Sequence, residues 1–271
     1  MSDSSLRSEL LAHCAVVVLT KNEVENLGAC LAVIPPELDR VVVDSGSTDG
    51  TVELARSLGC EVLEHPWGGF AGQRNTALHA LRENYGWALF IDADEIYGVE
   101  FFEWMSGFLS NPGDVEVVDV SSRIVLAGRK LNHAPGYPIY HPRLVRTGRP
   151  VFIVNASNHG ETIVADAVTR RIDIPYDHHS IGSDLRPWLE KHIRLAEMEV
   201  RGGRSHPRGR MTLRARMNGL LAAGPGRALA RFVYHYVLRL GFLDGIAGFR
   251  YAAMYAWYEQ TKWLLKKGPS E

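Results

Sequence analysis

Along the first hundred residues, short apolar runs alternate with stretches whose apolar positions recur at helical spacing. That alternation is the pattern of β-α-β units on a largely parallel sheet. It predicts strands over 15–20, 40–44, 61–64 and 87–91, with helices over 23–31, 51–58 and 71–82. Ser47-Thr48-Asp49 stands where side-chain oxygens cap a helix N-terminus, and Gly59 stands where a helix stops. Trp67-Gly68-Gly69-Phe70 forms a glycine-containing loop that opens the third helix. From about 112 to 180 the pattern changes to short strands and Pro/Gly-rich loops such as Ala134-Pro135-Gly136-Tyr137-Pro138. Residues 184–200 and 226–266 read as helices, separated by an arginine- and glycine-rich connection at 201–210. The expected class is α/β, with one domain over 1–183 and a helical C-terminal appendage over 184–271.

Composition narrows the class without adding chemistry. With 46% hydrophobic and 23% charged residues in 271, the chain matches an ordinary globular protein large enough to bury its own core. Cys14, Cys30 and Cys60 lie far apart with no C-x-x-C pair, which argues against a disulfide framework or thiolate zinc site and fits a reducing cytoplasm. The first apolar run, Ala15–Leu19, is too short for a signal-peptide core. Arg239, Asp244 and Arg250 interrupt the most apolar C-terminal region, so no span of roughly 18 apolar residues is available to cross a bilayer.

The net charge of −1 conceals an asymmetry. Residues 1–185 carry 14 Lys and Arg against 25 Asp and Glu, a net of −11, whereas 186–271 carry 16 against 6, a net of +10. An acidic half suits a bound cation, and a basic tail suits an anionic surface.

Ligands of open α/β sheets lie beyond the carboxyl ends of the strands, and polar residues cluster there in this chain. Thr20-Lys21-Asn22-Glu23 follows the first strand, Asp44-Ser45-Gly46-Ser47 ends the second, and Asp92-Ala93-Asp94 ends the fourth. As the last strand breaks into a turn, both aspartates can reach one ligand, one on the ribose side and one on a divalent cation. Mg²⁺ and Mn²⁺ accept few carboxylates together with phosphate oxygens, and a departing nucleoside diphosphate needs such neutralisation. An isolated D-x-D is as readily a pair of solvated turn acids. A haloacid-dehalogenase-type phosphatase also places D-x-D after a strand, but Glu95-Ile96 follows here in place of its usual Thr or Val pair.

Three segments, Val18-Leu19-Thr20-Lys21-Asn22-Glu23, Val43–Thr51 and Phe90-Ile91-Asp92-Ala93-Asp94-Glu95, resemble the nucleotide-binding motifs of inverting family 2 glycosyltransferases. The match is closer to bacterial lipopolysaccharide core β-glucosyltransferases, whose pattern His65–Asn75 and Leu240–Phe249 also resemble. The resemblance implies a GT-A, Rossmann-like sheet flanked by helices, with a nucleotide-sugar-binding half over about 12–111 and an acceptor half over about 112–183. It implies that Thr20, Glu23 and Asp44 border uracil and ribose, that Arg74 approaches the donor, that Asp92 lies near the ribose and that Asp94 holds the metal. Asn22, Ser45, Gly46, Gln73 and Ala93 complete the implied donor site. Asp44 and Ser47 could instead shape a turn and cap a helix, and Arg74 could lie on a helix surface.

Inversion requires a base to take the acceptor proton. Asn158-His159-Gly160-Glu161 follows an apolar run at 151–154 and resembles the family's His-Glu position, which makes Glu161 the candidate base; an ordinary loop carboxylate is the alternative. His178, in Asp177-His178-His179-Ser180, resembles a histidine that completes the metal site in some GT-A enzymes, and imidazole is a competent Mn²⁺ ligand. A structural histidine is the alternative. No H-E-x-x-H pair points to a metallohydrolase.

Six arginines between Arg201 and Arg216 occur with no acid among them, and Arg227, Arg231, His235 and Arg239 recur every four residues beside Phe232, Val233, Tyr236 and Leu240. A basic, aromatic helix of this kind is expected to lie on an anionic membrane, unless it packs on its own domain with the arginine stems snorkelling. No nucleic-acid motif accompanies it. The combined expectation is a metal-dependent hexosyltransferase, peripheral at the cytoplasmic face of the inner membrane, that moves glucose from UDP-glucose to a lipopolysaccharide-type or other lipid-linked glycan. Two alternatives remain: a sugar-nucleotide pyrophosphorylase, disfavoured because it would carry a glycine-rich loop where Thr20–Glu23 stands, and a non-catalytic, membrane-docked binding protein.

Overall fold

The computed structural model describes residues 11–153, 161–182, 184–201 and 226–266, without the side chain of Arg201. The chain divides into two compact units, Met1–Ser122 with Pro138–His178, and Arg123–Tyr137 with His179–Glu271.

In the first unit, β1 (Cys14–Thr20), β2 (Asp39–Asp44), β3 (Glu61–Glu64) and β4 (Trp87–Asp92) are parallel. They are joined by α1 (Val24–Ala32), α2 (Thr51–Ser57) and α3 (Phe70–Leu81). Each element lies within two residues of its expected bounds, and β1 and β4, covered on both faces, are apolar almost throughout. β1 shows the consequence directly. Val16 and Val18 enter one core with Leu27 and Leu31 of α1, while Ala15 and Val17 enter a second with Ala77 and Leu78 of α3. Successive side chains of one strand thereby fasten helices to opposite faces of the sheet. The first core is completed by Phe101, Phe102 and Met105 of α4 (Val99–Ser110).

The sheet continues as β3-β2-β1-β4-β8-β6-β9-β5, with β7 paired to β6. Its later members are β5 (Glu95–Ile96), β6 (Val117–Leu126), β7 (Arg129–Lys130), β8 (Ile139–Arg146) and β9 (Thr169–Ile181). The pairings β4·β8, β6·β8 and β5·β9 are antiparallel. The short strands expected over 112–180 are therefore corrected to long ones; charged residues such as Asp119, Arg143 and Asp173 interrupt the apolar pattern without ending the strands.

The expected cap of α2 also differs. Gly50, at φ 93°, is the residue before the helix, and Asp49 accepts bonds from the N–H and hydroxyl of Thr51 (3.1 and 2.5 Å). Gly59, at φ 78°, follows the helix in the left-handed region that glycine tolerates.

The second unit contains α5 (Arg186–Arg201), α6 (Gly226–Val233), a π-helical turn (Tyr234–Leu238), a 3₁₀ turn (Gly241–Asp244) and α7 (Gly245–Lys266). Its core gathers Leu126, Leu131, Ala134, Ile181, Trp188, Ala247, Tyr251 and Met254. The continuous helix expected over 226–266 is broken at Leu240, which adopts φ 57°. Gly241 and Gly248 explain the tight packing there: a Cβ on Gly248 would collide with the Gly241 carbonyl, and one on Gly241 with that of His235. Asp244 accepts the backbone N–H groups of Asn132, His133 and Ala134 at 3.0, 2.9 and 2.8 Å. Among the described residues no helix is long and apolar enough to cross a membrane.

The regular basic stripe on 227–239 is not the exposed face expected of it. Arg227 and Arg231 pair with the buried Glu259 at 2.6 and 3.2 Å. His235 is buried against the Ala134 carbonyl at 2.7 Å, and Arg239 donates to the Tyr137 carbonyl at 3.4 Å. The arginine run at 204–216 lies outside the described residues.

Candidate active site

The parallel register brings the three polar strand ends side by side: Thr20 is opposite Asp44, and Leu19 is opposite Asp92. Adjacent strands lie roughly 4.8 Å apart, so these ends form one continuous rim at the carboxyl edge of the sheet.

Asp44 organises the middle of that rim. Its carboxylate, buried to 1% exposure, accepts from Thr20 Oγ1 (2.8 Å), Ser47 Oγ (2.5 Å) and the N–H groups of Gly46 (2.8 Å) and Ser47 (2.7 Å). Burial alone would raise its pKa, but bonds from Ser47, Thr20 and Gly46 outweigh burial and hold the pKa below the usual range. Gly46 makes the turn possible at φ 84°. Asn22, at φ 58°, accepts the Thr48 N–H at 2.9 Å and donates its own N–H to Ser47 Oγ at 2.8 Å. The Glu23 N–H reaches Thr51 Oγ1 at 2.9 Å, and Lys21 Nζ bonds the Ser45 and Gly46 carbonyls. Gln73, fully buried, joins Ser45 Oγ (3.0 Å) to the carbonyls of His65 and Pro66 (3.1 Å each). In this arrangement Thr20, Asn22, Asp44 and Gln73 hold the loops in shape, so a ligand would meet the surface they build.

At the end of β4, the two aspartates have different surroundings. Asp92 receives Arg74 at 3.4 Å and Arg143 at 3.2 Å. Arg74 is buried in α3, with Phe70 and Phe152 rings 5.9 and 5.5 Å from its guanidinium; it is not a surface residue. Burial depresses its pKa, with Asp92 opposing. Ala93 turns its methyl into the core, leaving its backbone as its means of contact. Asp94 Oδ2 lies 3.3 Å from His178 Nε2, brought there because Glu95 pairs with His178 across β5 and β9. Burial would lower the His178 pKa, but Asp94 raises it on balance.

Arg143 is the hub that the sequence did not reveal. Its buried guanidinium contacts Glu95 twice (2.6 and 3.1 Å), Asp92 (3.2 Å) and Glu161 (3.0 Å), and lies 5.4 Å from the Tyr176 ring. The Glu95 carboxylate is wholly buried; burial pushes its pKa up while Arg143 opposes. Glu161 also accepts from His141 Nδ1 at 2.6 Å, and lies 3.8 Å from Arg74. Burial would raise the Glu161 pKa, but the His141 bond and the two arginines lower it strongly. Asn158, His159 and Gly160 lie outside the described residues. The signal for Arg143 was faint: three acids in four positions after an apolar strand require a nearby cation, but nothing in sequence says which one.

Among the described residues, no group of three or more His, Cys, Asp and Glu side chains is arranged to hold a metal ion. The Asp94–His178 pair nevertheless fits a cation that takes its remaining ligands from phosphate and water.

Residues 15–159 match the family model described as Glycosyl transferase family 2. An uncharacterised glycosyltransferase of Rickettsia bellii (strain RML369-C) is 41% identical over 90 residues, 32% of this chain and 30% of the relative. A lipopolysaccharide core biosynthesis glycosyltransferase of Rhizobium meliloti (strain 1021) is 29% identical over 147 residues, 52% of this chain and 54% of the relative. The matches thus span about a third of the one relative's length and half of the other's. The fold is similar to that of a mannosyltransferase from Pyrobaculum calidifontis in complex with GDP-Man and Mn²⁺, with TM-score 0.50, 18% identity and coverage of 96% of this chain and 88% of that one. It is also similar to glucosyl-3-phosphoglycerate synthase from Mycobacterium tuberculosis in complex with Mn²⁺, UDP and phosphoglyceric acid, with TM-score 0.51, 18% identity and coverage of 73% and 80%.

Proposed function

The chain belongs to glycosyl transferase family 2, and on that premise we propose that it is an inverting hexosyltransferase acting from a nucleotide-sugar donor. The observation that carries this reading is the continuous rim of Thr20, Asp44 and Asp92, flanked by Asp94–His178 and by the Arg74–Arg143–Glu161 cluster. It supplies a shaped loop surface for the nucleoside, carboxylates for ribose and cation, and a charged pair for the acceptor proton. Glucose from UDP-glucose is the proposed donor sugar, and a lipid-linked glycan of the lipopolysaccharide-core type at the cytoplasmic face of the membrane is the proposed acceptor. The name of the Rhizobium relative and the uridine nucleotide in the mycobacterial structure support those finer assignments.

In the proposed reaction the acceptor oxygen bonds to the anomeric carbon while the bond from that carbon to the diphosphate breaks, inverting the centre. Asp94 with His178 would hold Mg²⁺ or Mn²⁺, whose charge stabilises the departing diphosphate. The acceptor proton passes to Glu161, which the His141 bond and the two arginines keep ionised at neutral pH. A second reading is favoured by the same arginines, because they also make Glu161 a weak base. The 2.6 Å contact to Nδ1 would then orient His141, whose Nε2 takes the proton, as a carboxylate orients histidine in a hydrolase triad. A screen of UDP- and GDP-hexoses against lipid-linked glycans, reading nucleoside diphosphate release, tests the proposal. Release above the hydrolytic background with UDP-glucose is expected; no acceptor-dependent release from any hexose donor would overturn it.

A further inference from the structure

The second unit presents an inverted distribution of side chains between Gly226 and Arg250. Its polar groups point inward: Arg227 and Arg231 to Glu259, His235 to the Ala134 carbonyl, Arg239 to the Tyr137 carbonyl, and Asp244 to three backbone N–H groups. Large apolar side chains point outward instead. Leu229, Leu238 and Ile246 are each 66% exposed and Leu243 is 58% exposed, with Val237, Leu240, Phe242 and Phe249 also exposed. Leu229, Val233 and Val237 recur every fourth residue, two positions out of step with Arg227, Arg231 and His235. The two sets therefore occupy opposite sides of the helical stretch. Phe232, Tyr236, Phe242 and Phe249 join the turns into one surface, their ring centroids 5.3 to 6.4 Å apart. Soluble monomers rarely expose so many contiguous large apolar side chains.

We propose that this unit docks on an anionic lipid bilayer by burying this surface, led by Leu238, Leu243 and Ile246, at the boundary between headgroups and acyl chains. Charge selects the occupant. Residues 186–271 carry a net charge of +10, and Asp244, the single acid between 226 and 250, is already engaged by backbone N–H groups. Arg250 is exposed beside the exposed Phe249. An apolar face with an exposed arginine at its margin, on a basic stretch of the chain, suits the interface of an anionic membrane. The arginine stripe expected from sequence is thus reassigned: it fastens the helix to its own unit so that the opposite, apolar side is free to insert. The inference rests on, and deepens, the reading of a lipid-linked acceptor.

The test is co-sedimentation of the full chain with vesicles of 3:1 phosphatidylcholine and phosphatidylglycerol, beside the L243S/I246S variant. Both positions are exposed, so the variant is expected to keep the wild-type circular dichroism and UDP-glucose binding. Wild-type protein should pellet with the vesicles, and the variant's partitioning should fall by about ten-fold or more. Absence of wild-type binding, or equal binding by the variant, would overturn the proposal. So would a self-association seen by sedimentation velocity that the variant abolishes without vesicle binding by the wild type, since the surface would then belong to a second copy. Vesicle binding by a protein that binds no UDP-glucose would leave the docking surface standing and remove UDP-glucose as the donor.

Discussion

Replacing Arg143 with methionine removes the positive centre of the Asp92–Glu95–Glu161 cluster while keeping most of the side-chain volume. Glu95 suffers most. Its carboxylate has no solvent exposure, and after loss of Arg143 the bond from the Asp92 N–H at 3.2 Å remains. Breaking a buried ion pair by removing one partner costs about 3–5 kcal/mol, which lowers Tm by roughly 6–20 °C at about 2–4 °C per kcal/mol. The penalty should depend on pH. Burial already raises the Glu95 pKa, and without its counter-charge it rises further. A carboxyl group with a folded pKa above the unfolded value is favoured when protonated, so R143M loses stability as pH rises from about 4.3, the unfolded glutamate value, at up to about 1.4 kcal/mol per pH unit. Differential scanning calorimetry at pH 5 and pH 8 measures both effects. E95Q/R143M should regain part of the loss, because it buries a neutral amide in place of an unpaired charge. A Tm change under about 3 °C, or a double variant as unstable as the two single losses added, would refute the argument.

Three further outcomes follow from the site. Asp44→Ala strands the donors of Thr20, Gly46 and Ser47 and should cost about 2–4 kcal/mol, read by urea titration. Asp44's depressed pKa makes its contribution present above the unfolded aspartate value and lost as pH falls below it, so the D44A penalty should shrink in acid. Because the His178 pKa is raised by Asp94, a cation must displace that proton. Mn²⁺ affinity measured by calorimetry should rise by about ten-fold per pH unit below the His178 pKa and be nearly independent of pH in H178Q. If Glu161 is the base, E161Q should lower kcat by about 10²–10⁴-fold while H141N keeps most of the activity; loss of activity in both variants, with H141N the more damaged, would assign the base to His141 oriented by Glu161.

The centre of the parallel sheet was legible because burial of β1 and β4 forces apolar runs that are too short for a helix and are bounded by polar residues. The polar strand ends were legible for the complementary reason: acids directly after such runs have few structural uses. Arg143 was not, because its function depends on pairings between β4 and β8 and between β6 and β8 that no local pattern encodes. His141 was missed for the same reason, two residues before Arg143 on β8. The basic stripe misled in orientation: a four-residue repeat fixes which residues share a helix face, but the inward turn of that face is set by Glu259, from a helix some thirty positions later. The break at Leu240 escaped helical periodicity because glycines at 241 and 248 allow a close approach that depends on tertiary packing.

The most direct test of the central claim is calorimetry of the full chain with UDP-glucose, with and without Mn²⁺, beside D94A. The wild type is expected to bind the donor at least ten-fold more tightly with Mn²⁺, and D94A to lose that gain while keeping the wild-type Tm. Donor binding that is unaffected by Mn²⁺, or a D94A protein that retains the full metal-dependent gain, would contradict it.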